Sequence, residues 1–146
     1  MIKHKSGSLT FYIPDATAQS GAHFFDAGIS AGFPSPAEDF KEERLSLDET
    51  LVKNKEATFY ARVSGQSMIG AGLDDNDLLV IDRSLEPANN KIAVCFLDGE
   101  FTVKRLRVEK EEVWLQPENP NYPIIKITED NNFLIWGIVT NVIKKV

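Results

Sequence analysis

Ile92-Ala93-Val94-Cys95-Phe96-Leu97-Asp98-Gly99-Glu100-Phe101-Thr102-Val103-Lys104-Arg105-Leu106-Arg107-Val108 is the stretch that decides the fold. Two apolar-rich runs, Ile92 to Leu97 and Phe101 to Val108, flank Asp98-Gly99. That dipeptide suits the positive φ angles of a two-residue hairpin turn. An antiparallel β pair is therefore expected here.

The neighbouring segments extend the pattern. Thr58 to Ser64 alternates, which places Phe59, Ala61 and Val63 on one face. Leu78 to Asp82 is a continuous apolar run between polar clusters. Val113 to Gln116 follows a charged turn at Glu109 to Glu112. Pro117, Pro120 and Pro123 then stiffen a loop. Ile124 to Thr128 and Phe133 to Ile143 complete the set. Many short strands with turn punctuation predict a mostly β, largely antiparallel domain.

One helix signal stands out. Ser46 and Glu49 have capping-box spacing, so a short helix is expected from Ser46 to about Asn54. Leu47 and Leu51 would share a side of it. Residues 1–44 read differently. Leu9 to Ile13 is strand-like and ends at Pro14, and the stretch from Ala16 to Gly21 is small and polar. Pro34 and Pro36 remove backbone donors and favour extended neighbours. The expected organisation is an extended N-terminal arm over 1–44 and a β-rich body over 45–146.

Composition narrows the function. The chain has 146 residues and a formal net charge of -6, which argues against broad electrostatic binding to nucleic acid. One cysteine rules out an intrachain disulfide, and with two histidines it makes a structural zinc site improbable. No cofactor is expected. No apolar run has the length of a membrane span, and the start carries no signal-peptide core. The expected location is the cytoplasm, with no membrane association.

Ser67 lies in Val63-Ser64-Gly65-Gln66-Ser67-Met68, just after a strand, with Gly70 and Gly72 beyond it. Glycines allow a sharp turn and close backbone approach. Such a turn can expose a serine hydroxyl and aim backbone N–H groups at a developing oxyanion. The candidate donors are the N–H groups of Ser67 and Gln66. Ser-Gly-x-Ser by itself is also an ordinary surface turn. A serine nucleophile needs a base. His4 and His23 lie in the arm and read as exposed. Cys95 reads as a core residue. Lys104 is the remaining candidate, because burial in an apolar strand lowers a lysine pKa. Thr102 shares its strand face and would orient the amine. Taken alone, Lys104 reads more readily as an exposed strand lysine, with Arg105 beside it as another. The third element, Ser30-Ala31-Gly32-Phe33-Pro34-Ser35-Pro36, looks like a peptide to be cut.

Together these segments resemble the LexA/UmuD family of self-cleaving Ser–Lys proteins (peptidase S24), and its UmuD branch in particular. The similarity rests on Ala31-Gly32-Phe33-Pro34-Ser35-Pro36-Ala37, Ser64-Gly65-Gln66-Ser67-Met68-Ile69, Asp77-Leu78-Leu79-Val80-Ile81-Asp82 and Asp98-Gly99-Glu100-Phe101-Thr102-Val103-Lys104, in family order. Residues 1–28 match no family motif. The resemblance implies a β body like that of LexA and the signal peptidases. It implies Ser67 as nucleophile, Lys104 as general base and Ala31–Gly32 as the cleavage site. It further implies a homodimer whose cutting is stimulated by a RecA–single-stranded DNA filament in the SOS response. The truncated product would serve a Y-family, UmuC-like translesion DNA polymerase as accessory subunit. No helix-turn-helix segment is present, so direct sequence-specific DNA binding is not expected. The alternatives are a LexA-like repressor fragment from a phage or mobile element, and a binding module that does not cut.

Overall fold

The computed structural model describes residues 3–6, 9–14, 22–25, 31–32 and 42–146. Side chains of 3–6, 23–25 and 42–43 lie outside the description. So do Ser30, Phe33 to Ala37, and the imidazoles of His4 and His23.

The protein is mostly β, as the sequence predicts. The strands are β1 (Lys3–Ser6), β2 (Leu9–Tyr12), β3 (Ala22–Phe25), β4 (Glu42–Leu45), β5 (Thr58–Val63), β6 (Leu78–Asp82), β7 (Ile92–Leu97), β8 (Glu100–Glu109), β9 (Glu112–Gln116), β10 (Ile125–Lys126) and β11 (Phe133–Ile143). Nine of them form one antiparallel sheet in the order β1-β2-β5-β6-β11-β7-β8-β9-β10. β3 and β4 form a separate two-stranded ribbon.

The β7–β8 hairpin is the one the sequence announces. Asp98 and Gly99 both take positive φ, 48° and 93°. This is the mirror-image turn whose twist suits two paired strands. Its register sets Cys95 opposite Thr102 and Ala93 opposite Lys104. Alternation then divides β8. Phe101 and Val103 meet a core built from Leu9, Phe11, Ala61, Val63, Met68, Leu73, Leu79, Ile81 and Val94. Leu106 faces a second core with Ala93, Cys95, Leu115 and Ile138. Thr102 and Lys104 lie on the Leu106 side of the strand.

β11 ties the two halves of the sheet together. Phe133 to Ile138 pair with β7, and Ile138 to Ile143 pair with β6. Register shifts after Ile135 and after Val139 break the ladder. Such irregularities increase local twist. They let one long strand serve two neighbours.

Contacts divide the chain into two units. One comprises Met1–Pro14 with Asn54–Val146, the other Asp15–Lys53. The sequence reading draws a single boundary at 44/45. In the larger unit, β2 pairs with β5, Leu9 opposite Val63 and Phe11 opposite Ala61. Leu9 is 1% exposed and Phe11 8%. The start of the chain is extended and also part of the core. In the smaller unit, Ala22 to Phe25 pair with Leu45 to Glu42.

The helix α1 is shorter than predicted, covering only Leu47–Leu51. The capping box does not form: Ser46 occupies the N-cap position, yet its hydroxyl makes no capping hydrogen bond. The Thr50 hydroxyl instead donates to the Ser46 carbonyl at 2.8 Å. Leu47 is 61% exposed, so Leu47 and Leu51 build no buried stripe. Among the described residues, no helix is long and apolar enough to cross a membrane.

Candidate active site

Ser67 follows β5 in an irregular loop that leads to a short 3-10 turn at Ile69–Ala71. Two contacts anchor this loop to the segment after β9. The Glu118 N–H donates to the Ser67 carbonyl at 2.8 Å, and the Gly70 N–H donates to the Glu118 carbonyl at 2.7 Å. A Cβ on residue 70 would lie 2.6 Å from that carbonyl oxygen. Only glycine allows this approach. Met68 and Leu73, 2% exposed each, pin the loop into the first core.

Lys104 reaches the same place from the middle of β8. Its side chain is nearly buried, with 7% exposure. Nζ lies 3.0 Å from Ser67 Oγ, 2.8 Å from Thr102 Oγ1 and 3.1 Å from the Val103 carbonyl. An ammonium can donate to all three oxygens. A neutral amine can donate to two and accept the Ser67 proton with its lone pair. Both protonation states are thus satisfied by one arrangement. Burial pushes the Lys104 amine below the ordinary lysine range, against a smaller opposing influence of Cys95. Cys95 is fully buried, and burial pushes its thiol up to about 12. It remains a packed thiol.

A small cleft borders Ser67 Oγ. It is lined by Val63, Ser64, Gly65, Ser67, Met68, Leu73 and Val103, and holds about 10 Å³. That is space for one water molecule or a methyl-sized group. Among the described residues, nothing engages the N–H groups of Gln66 and Ser67.

Ser67, Lys104, Thr102 and Gln66 are therefore brought together. Ala31 and Gly32 belong to the smaller unit, exposed at a bend. A Cβ built on Gly32 meets no atom within 4 Å.

Sequence reasoning missed the segment that supports Ser67. Pro117-Glu118-Asn119-Pro120 reads as a stiff loop, and its prolines are the only signal it offers. In the structure Asn119 is 7% exposed, and its Nδ2 donates to the Gln66 carbonyl at 2.8 Å. Glu118 forms a close ion pair with Arg105, the residue after Lys104. The Ser67 loop and the strand that carries Lys104 are thereby braced by one segment.

Comparison with known proteins finds relatives over most of the chain. The model of the Peptidase S24-like family matches residues 24–140. Protein MucA of Salmonella typhimurium is 43% identical over 119 residues, 81% of each chain. Protein SamA of Salmonella typhimurium is 42% identical over 127 residues, 87% of this chain and 88% of that one. A LexA repressor from Delftia acidovorans is 36% identical over 116 residues, which cover 80% of this chain and 51% of the repressor.

Proposed function

Because this chain belongs to the S24-like peptidase family, we propose that it cuts its own Ala31–Gly32 bond with Ser67 as nucleophile and Lys104 as general base. The observation that carries this reading is the 3.0 Å contact between Lys104 Nζ and Ser67 Oγ, with Lys104 nearly buried and Ser67 half-buried. Neutral Lys104 takes the hydroxyl proton as Ser67 Oγ attacks the Ala31 carbonyl carbon. The oxyanion is held by the N–H groups of Ser67 and Gln66. Collapse breaks the C–N bond, and Lys104 returns the proton to the departing Gly32 nitrogen. Water, deprotonated by the same amine, then hydrolyses the Ala31 ester and frees Ser67. Thr102 holds the amine in line. The methyl-sized cleft beside Ser67 suits the Ala31 side chain.

Roughly 35 residues join Gly32 to Ser67, and at about 3.3 Å each they are long enough for the bond to reach the site. Docking of the cleavage segment is the regulated step in this reading. A RecA–single-stranded DNA filament favours the docked population in the SOS response. The protein acts as a cytoplasmic homodimer, and the product spanning 32–146 serves a Y-family polymerase as accessory subunit. The direct test is incubation of the purified chain at alkaline pH, with and without RecA filaments, followed by mass spectrometry. Fragments 1–31 and 32–146, absent for Ser67→Ala, are expected. An intact wild-type chain under both conditions would overturn the proposal.

A further inference from the structure

Asn119 lies outside the reacting pair, yet it holds one end of the peptide unit that joins Gln66 to Ser67. The Gln66 carbonyl and the Ser67 N–H belong to the same planar trans peptide, so they point in opposite directions. Asn119 Nδ2 donates to that carbonyl at 2.8 Å. Its amide cannot be turned over, because Oδ1 accepts the Asn121 N–H at 3.0 Å. The Tyr122 N–H donates to the Asn119 carbonyl at 3.1 Å, which fixes the backbone behind it. At 7% exposure the grip is made where water competes poorly. On the other side of Ser67, its carbonyl accepts the Glu118 N–H. The peptides before and after the serine are thus both clamped from residues 118–119.

We propose that Asn119 is a positioning residue for the oxyanion site: by fixing the Gln66 carbonyl, it aims the Ser67 N–H at the place where the oxygen of the attacked carbonyl gathers charge. This rests on the reading of Ser67 as the nucleophile. The Ile69 N–H also reaches the Gln66 carbonyl, at a longer 3.4 Å; without the shorter Asn119 grip, that contact alone leaves the peptide freer to rotate about its flanking torsions, and the N–H must be reoriented in each attack. Catalysis by preorganised donors depends on that reorientation having been made in folding. The ion pair of Glu118 with Arg105 holds the same segment to β8, so the amide that aims the N–H moves with the strand that carries Lys104.

The test compares wild type with Asn119→Ala and the isosteric Asn119→Asp, which keeps the shape and cannot donate. Two rates are read on the full chain. One is first-order self-cleavage across an alkaline pH series. The other is phosphonylation of Ser67 by a fluorophosphonate, whose transition state also places charge on an oxygen. Removing an oxyanion donor outright costs about 100- to 1000-fold. Misaiming one is expected to cost about 10- to 100-fold in both rates, with the midpoint of the Asn119→Ala pH profile where the wild type has it. Thermal unfolding of each variant is followed alongside. Wild-type rates in either variant would overturn the proposal. A midpoint displaced together with a loss of cooperative unfolding would also overturn it, because that is the mark of a general loosening around Lys104. A wild-type chain that neither cuts itself nor reacts at Ser67 refutes the peptidase reading and this proposal together. A reactive wild type with equally reactive variants refutes this proposal alone.

Discussion

Lys104 Nζ and Ser67 Oγ stand 3.0 Å apart although 37 positions separate the residues in the chain. The strand β8 delivers the amine, and a loop locked to residue 118 delivers the hydroxyl. Neither residue is remarkable in its local context. Their chemistry comes from the meeting.

The first prediction concerns the pH dependence of cutting. If Lys104 is the base, only its neutral form accepts the Ser67 proton. Burial lowers its pKa, so the rate should rise through the alkaline range and level off below the free lysine value of about 10.4. A histidine base would centre the rise near about pH 6.5. Lys104→Ala and Ser67→Ala should each abolish cleavage and leave the fold intact. Thr102→Val should slow it about tenfold, the cost of about one hydrogen bond. Active Lys104→Ala protein would refute the mechanism.

The second prediction is the position of the cut. Sequencing the large fragment should find Gly32 at its new N-terminus. A bulky residue in place of Gly32 should slow cutting sharply with no loss of thermal stability, because an added Cβ meets nothing within 4 Å. A variant that cuts at the wild-type rate would contradict the assignment.

The third prediction is a stability cost at the site. The folded pKa of Lys104 lies below its unfolded value. Between the two, the unfolded chain binds more protons, so this residue's contribution to stability improves as pH rises. Wherever the amine is charged, burial holds that charge in an unfavourable place. Lys104→Met should therefore gain most in melting temperature, relative to wild type, near pH 7. That relative gain should shrink as pH approaches the ordinary lysine value. A difference independent of pH would show that burial does not perturb the amine.

The fourth prediction concerns the central strand. Gly137 sits at the register shift in β11, where a Cβ would lie 2.6 Å from Ile81 Cγ2 and 3.3 Å from Arg83 Cγ. Ile81 is fully buried and has little room to yield. Gly137→Ala should cost about 1–3 kcal/mol, read from chemical denaturation. A neutral effect would show that the strand shifts freely.

The fifth prediction addresses assembly. The proposed homodimer should sediment as two chains at micromolar concentration before and after cutting. Mixing Ser67→Ala chains with chains altered at Gly32 asks whether an arm is cut by its partner's site. Fragment 1–31 should appear in the mixture only where arms cross between subunits, and its absence would confine cutting to one chain.

Much of the fold was legible locally. Apolar runs bounded by turn residues located Leu78–Asp82, Ile92–Leu97 and Phe133–Ile143 at the bounds the structure gives them. Asp98-Gly99 declared its own turn, because positive φ is a property of those two residues. The local reading failed where competition decided. Ser46 had the spacing of a cap, but a five-residue helix with no buried residue gives that cap little to stabilise. Leu9 to Tyr12 read as part of an arm, since nothing nearby says that β5 will accept its hydrogen bonds.

The sequence by itself determined the residue types: a serine among glycines, a lysine in an apolar strand, a small-residue peptide before two prolines. Backbone preferences and side-chain chemistry act over a few residues, so they can be read in order along the chain. Only the tertiary structure decided that Lys104 is buried and close to Ser67, and that Asn119 grips the peptide before the serine. Burial and hydrogen-bond partnership depend on neighbours dozens of residues away, brought together by pairing β7, β8 and β9 and returning the chain past Gly70.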